Sequence, residues 1–292
     1  MALGSSQITI TTGDVFIPEI WMNEVRAFLR ANLVLADKIK MISFEGQPGD
    51  TLHIPDISEF TTAAKAANTQ VTLQAPTETK FDLSINKHRE SSFLIEDLIG
   101  VQSSYDLRSE YTKSAGYAMA KRLDADIAQS ISGLTYQYKG SDGTTVWGNG
   151  TVGGGDLTEA AIRQAIEYLD TANVPQEDRF LFIHPAQKNV LLGISRFTEY
   201  QMIGMGGMPL RTGQFGEIFG VPVYVSTQPL ATGTAHGCML AHKNAFAMAI
   251  QHSPRVQAQY KLEYLGNLFV VDAIYGYAVY RANHGVGLYT AA

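Results

Sequence analysis

Cysteine is almost absent. Cys238 stands alone in 292 residues, which excludes an intramolecular disulfide and any multi-cysteine metal site. Charge is scarce too, at 17% of residues, and its balance is wrong for a protein that wraps DNA. Lys plus Arg number 22 against 28 Asp plus Glu, a formal net charge of −6. No apolar run approaches the roughly 20 residues of a membrane span, so no membrane partner is expected. Met1 to Thr12 is polar and lacks the basic stretch and apolar core of a signal peptide. The expected surroundings are therefore a reducing cytoplasm. No fixed period recurs, which excludes a solenoid. What is present is a globular composition, 45% hydrophobic with 27 Gly and 10 Pro. It leaves more uncharged surface than a lone monomer needs, and its length suits one large domain or two ordinary ones.

Changes of periodicity organise the chain. Residues 1–13 read as an extended arm, followed by a helix capped by Asp14 with Pro18 in its first turn. Thr51–Ile54 and Val71–Leu73 are short alternating runs around Phe60–Asn68, a small, polar stretch with almost nothing to bury. Two strands around such a tip describe a protruding hairpin. Lys80–Ile95 alternates, with Phe81, Leu83 and Ile85 on one face. A long helix follows, with Ser103 and Asp106 as a capping box, Leu107, Tyr111, Ala115, Ala118/Met119, Ile127 and Ile131 on its stripe, and Gly133 as its end. About 27 residues at roughly 1.5 Å each make it about 40 Å long.

Gly140–Asp156, rich in Gly, Ser and Thr, is the clearest boundary. Beyond it come a helix capped by Asp156 or Thr158, a buried strand at Phe180–Ile183, a short helix from Pro185, and a Gly/Met segment at Met202–Met208. The last of these reads equally as an adaptable contact surface or a plain loop. Strands are expected at Val221–Val225, Cys238–Ala241, Val256–Glu263, Leu268–Tyr280 and Gly285–Tyr289. The class is α+β.

The motifs that carry chemistry fail on context. Gly148–Gly153 matches G-x-G-x-x-G, but polar, turn-rich residues precede it and further glycines delay the helix, so it reads as an inter-domain loop. His236, Cys238 and His242 share one face of a strand, yet positions four apart lie about 13 Å from each other. Zinc needs ligands at roughly 2.0–2.3 Å. A buried Cys with two polar-edge histidines is the expected arrangement. Gly193–Phe197 lacks the second glycine of a nucleophile elbow. Asp124/Asp126 and Glu177/Asp178 read as a solvated helix face and a loop. No catalytic, cofactor-binding or metal-ligating residue is expected, and no cofactor.

The stretches Ile17–Trp21, Lys65–Thr79, Phe93–Asp97, Tyr105–Tyr111, Ile183–Lys188 and Phe215–Tyr224, in this order, carry a resemblance. The chain resembles the major capsid proteins of tailed bacteriophages, which have the Hong Kong 97-type fold. The resemblance implies an N-terminal arm over 1–48, an extended loop over 49–79 lying on a neighbouring subunit, and a peripheral domain with a long spine helix over 80–133. An axial domain over 134–255 and returning C-terminal strands over 256–292 complete it. Phe60, Lys65, Asn68 and Gln70 are the expected contacts between subunits.

The implied partners are copies of the chain, as pentamers and hexamers of an icosahedral shell, with a separate scaffolding protein and a portal. Packaged double-stranded DNA would be held by weak, non-specific contact. The implied location is the virion capsid, assembled in the host cytoplasm. Because the arm begins almost at once after Met1, no cleavable scaffold segment is expected. Some relatives weld subunits by Lys–Asn isopeptide bonds, but no motif here transfers those roles to numbered residues. Two alternatives stand beside this one: an encapsulin-like nanocompartment enclosing enzymes, and a soluble α/β enzyme.

Overall fold

A computed structural model describes residues 8–9, 34–57, 60–71, 73, 75, 78–97, 107–146, 155–194, 216–232 and 235–291. The helix expected from Asp14, the Ser103/Asp106 capping box, Gly148–Gly153 and Met202–Met208 lie outside them. In chain order the strands begin with β1 (Ile8–Thr9), β2 (Lys40–Ser43), β3 (Thr51–Ile57), β4 (Glu78–Ser84) and β5 (Lys87–Glu96). Helix α1 (Leu107–Ala128) runs into a 3-10 turn at Gln129–Gly133, then come β6 (Tyr136–Lys139), α2 (Glu159–Thr171), β7 (Arg179–Ile183) and α3 (Pro185–Leu192). The remainder is β8 (Glu217–Ile218), β9 (Val221–Val225), β10 (Leu230–Thr232), β11 (Ala235–His242), β12 (Phe246–Lys261), β13 (Gly266–Val279) and β14 (Gly285–Ala291).

Three sheets result. The first has the order β1-β5-β13-β12-β2, the second β6-β14-β11-β7-β9-β8 with β10 on β11, and the third is the hairpin β3-β4. One core lies between α1 and the first two sheets. Met119, Leu123 and Ile127 from α1 meet Phe269 and Val271 from β13 and Phe180, Phe182 and Met239 from the second sheet. Alternate residues of the second sheet, Leu181, Ile183, Cys238 and Leu240, face α2 through Ile162, Ala165 and Leu169. Burial on both faces explains why β7 and β11 read as unbroken apolar runs rather than alternations. Thr158 is the cap of α2, its Oγ1 accepting the N–H of Ala161 at 3.2 Å.

The long helix spans its expected length, but only 22 residues are α and the last five are 3-10. Ala115, Met119, Ile127 and Ile131 are buried as expected, Leu123 joins them, and Ala118 is exposed. Three strand expectations differ from the structure. Val71 and Leu73 lie outside any strand, and the return strand of the hairpin is β4, with Thr51 opposite Ser84 and Ile57 opposite Glu78. This register sets Leu52 beside Leu83 and Ile54 beside Phe81. Leu83 and its neighbours then pack on Phe44, Ile85 and Ala249, whereas Leu73 stays 90% exposed.

Lys80–Ile95 is two strands, broken where the chain crosses from the hairpin to the first sheet. Any Cβ at Gly276 would collide with the Ser84 carbonyl oxygen, so only glycine permits that crossing. Strand β12 starts ten residues before the expected Val256, since register shifts between Ile250 and Arg255 carry it past Pro254.

Candidate functional site

The hairpin is a stalk fixed at its root and bare at its end. Leu83 is fully buried at the root, with Leu52 and Phe81 packed beside it. On the stalk's other face His53 Nδ1 and Asp82 Oδ1 are 2.5 Å apart, and Lys80 Nζ reaches Asp82 at 3.2 Å. The His53 hydrogen bond, helped by Lys80, holds the Asp82 carboxyl below the usual carboxylate range. Residues 60–71 are exposed throughout. A turn closes the tip, where the Thr69 hydroxyl donates to the Ala66 carbonyl at 2.6 Å. Asn68 sits at φ 59°, a left-handed conformation that asparagine tolerates.

All four residues singled out from the sequence lie on this loop: Lys65 and Asn68 at the turn, Phe60 and Gln70 on its legs. Phe60 is 66% exposed. The four lie on an exposed surface rather than in a pocket.

The residues with chemical potential are placed otherwise. Cys238 is fully buried, and burial pushes its thiol up to about 11. His236 stacks on His184 at 3.8 Å, while His242 meets His284 edge-on at 5.8 Å, so the expected trio has separate neighbours. His242 is not at a polar edge. It is 5% exposed, because its Nδ1 accepts the N–H of Asn244 and caps a 3-10 turn. Among the described residues no group of three His, Cys, Asp or Glu is placed to hold a metal ion. A cavity of about 20 Å³ under α1, lined by Met119, Leu123 and Tyr275, has room for little more than one water. No helix among the described residues is long and apolar enough to cross a membrane.

Asp124 and Asp126 overturn the reading of a solvated helix face, since both are buried. Asp124 accepts the backbone N–H groups of Val34, Leu35 and Ala36 at 3.0–3.2 Å and pins that segment to α1. Burial raises its carboxyl despite those three donors. Asp126, 0% exposed, takes Arg89 at 3.0 Å, Arg122 at 2.9 Å and the Tyr275 hydroxyl at 2.7 Å. Burial, then Asp126, pushes the Tyr275 phenol upward. A carboxylate enclosed this way is a fastener between α1 and the first sheet, with no free lone pair directed at a cleft. Glu177 and Asp178 are exposed as expected.

A family model described as phage capsid protein matches residues 94–291. Among solved structures, a chain from Mycobacterium phage Che8 superposes with a TM-score of 0.72 at 24% identity, covering 88% of this chain and 90% of that one. The capsid of cyanophage P-SCSP1u gives 0.69 at 19% identity, with coverage of 89% and 88%. A virus-like particle from Pyrococcus furiosus gives 0.62 at 15% identity, with coverage of 94% and 100%. No curated protein matches the chain. The mixed architecture of helix and strand is thus that of phage capsid structures. With a family match over more than half its length, the chain belongs to the phage capsid protein family.

Proposed function

We propose that the chain is the major capsid protein of a tailed bacteriophage, assembling as pentamers and hexamers into an icosahedral shell around double-stranded DNA. The observation that carries this reading is the hairpin tip, residues 60–71, which is exposed throughout. Ordering a backbone costs roughly 1–2 kcal/mol per residue, which this stretch does not offset by burial in its own chain. A neighbouring copy supplies the missing surface, and Phe60, Lys65, Asn68 and Gln70 are the contacts. The hairpin is then the extended loop, α1 the spine helix of a peripheral domain, and the second sheet with α2 and α3 the axial domain. The arm is residues 1–48 and the returning C-terminal strands residues 256–292.

The role is structural, with no turnover. The net charge of −6 suits a shell that holds packaged DNA by weak contact. A separate scaffolding protein and a portal complete the assembly, which takes place in the host cytoplasm. Co-expression with the scaffold, followed by gradient purification and electron microscopy, tests this. Closed shells that absorb as nucleic acid after packaging are expected. Protein-filled shells would favour an enzyme-enclosing nanocompartment, and a chain that stays monomeric under every condition would sink the reading. Limited trypsin digestion locates the contact: Lys65 should be cut in free subunits and protected in shells.

A further inference from the structure

His53 and His88 lie on carboxylates, those of Asp82 and Asp272. Four other histidines lie on one another, at the two ends of β11. At its start His236 stacks on His184, the rings 22° from parallel, and joins β11 to the end of β7. At its end His242 meets His284, which lies in the turn just before β14. In each pair one imidazole is a cap. Nδ1 of His184 accepts the N–H of Ala186 at 3.3 Å where α3 begins, and Nδ1 of His242 accepts that of Asn244 at 3.1 Å where the Lys243–Ala245 turn begins. An accepting Nδ1 carries no proton, so both rings are neutral, protonated on Nε2 alone. A second proton sets a donor against a donor.

The other ring of the first pair, His236, has its Nδ1 enclosed without a hydrogen-bond partner. Around the second pair the charges oppose an added proton. Around His242 the single carboxylate, Asp178, is outnumbered by Arg179, Lys243 and Arg281. Around His284 stand Arg281 and His242. Burial, then His236, holds His184 below the ordinary imidazole value; burial, then Arg281 and His242, pushes His284 down to about 4.

We propose that the two histidine pairs form an acid-released clasp on β11, whose protonation unseats α3 and the Lys243–Ala245 turn from the second sheet while the first sheet holds. Rings that are neutral in the fold regain an ordinary affinity for protons once released. Their stabilisation is therefore present above pH about 6.5 and is lost as the pH falls below it toward the folded values. For His284 alone, opening becomes about 20-fold more favourable at pH 5 than at pH 7. The usual carboxylate range lies lower, so the ion pairs of the first sheet persist across this window.

Amide hydrogen exchange of the free full-length chain, corrected for intrinsic rates, reads the clasp directly. Peptides over α3 and β11 should lose protection at least about 20-fold between pH 7 and pH 5, and peptides over β5 and β13 far less. A variant with His184→Asn, His242→Asn and His284→Gln keeps acceptors at both caps without titrating. It should lose most of the extra sensitivity. An unchanged pH dependence in that variant, or equal loss in both sheets of the parent, overturns the proposal. Should the variant not fold, ring titration of the parent by NMR decides: His184, His242 or His284 titrating at or above pH 6.5 refutes it. Because the measurement is on free subunits, its failure says nothing against shell assembly.

Discussion

The tip of the hairpin and strand β11 are opposite solutions to ordering a chain. Strand β11 sends Met239 and Ala241 into the core beneath α1, and Cys238 and Leu240 into the layer beneath α2. It is held from both sides and needs nothing beyond its own chain. Residues 60–71 fold back through one turn and remain exposed. The difference lies in side-chain volume per residue, since the backbone cost is the same for both. On the proposed function, it separates the part that makes the subunit from the part that is left for other subunits. Charge follows the same division. His53 on the hairpin stalk and His88 on the first sheet lie on carboxylates, while the histidines at the two ends of β11 lie on each other.

The contrast can be broken most strongly from the buried side. Phe182→Ala removes a fully buried ring from the common core and should cost about 3–5 kcal/mol in denaturant unfolding. Next comes Asp126→Asn, which leaves Arg89 and Arg122 without their carboxylate. A loss of about 1–3 kcal/mol is expected, measured in the same way at low and high salt, and little change with salt would mark the pair as shielded from solvent.

Acid sharpens the comparison further. Burial alone would raise the Asp272 carboxyl, but hydrogen bonds from Arg255 and His88 outweigh it and hold the group below the ordinary carboxylate value. Its contribution is thus present above pH about 4 and is lost only as the pH falls through the lower folded value. Asp272→Asn should therefore flatten the stability profile below pH 4 and leave the pH 5–7 limb unchanged. The smallest effect on folding belongs to the tip. Deleting Thr61–Asn68 should move subunit stability by no more than about 0.5 kcal/mol, with unchanged circular dichroism, while stable shells no longer form. A large loss of stability would mean that the tip packs within its own subunit.

Elements with short-range signals were legible in the sequence. Thr158 before an amphipathic stripe, the run Phe180–Ile183 and Pro185 after His184 announce α2, β7 and α3 without outside help. The bare composition of the tip was equally plain. The pairings that depend on distant residues were not. Asp126 is read as solvated until Arg89, 37 residues away, and Tyr275, 149 away, are brought to it. Asp124 gains its role only from backbone amides 88–90 residues earlier. The return strand of the hairpin was misplaced for a related reason. Val71–Leu73 has the right local alternation, but Glu78–Ser84 has the partners, and burial of Leu83 settles the register.

Cys238 has a practical consequence. With its thiol enclosed between β11 and α2 and pushed to about 11, almost none of it is thiolate near neutrality, and no reagent reaches it in the folded chain. For maleimides and disulfide probes the folded subunit behaves as though it had no cysteine. A single Lys65→Cys change then creates one addressable position on the exposed loop, in a background that needs no prior removal of native thiols. A fluorophore attached there would report, through its spectrum alone, whether the bare end of the hairpin passes from water onto protein.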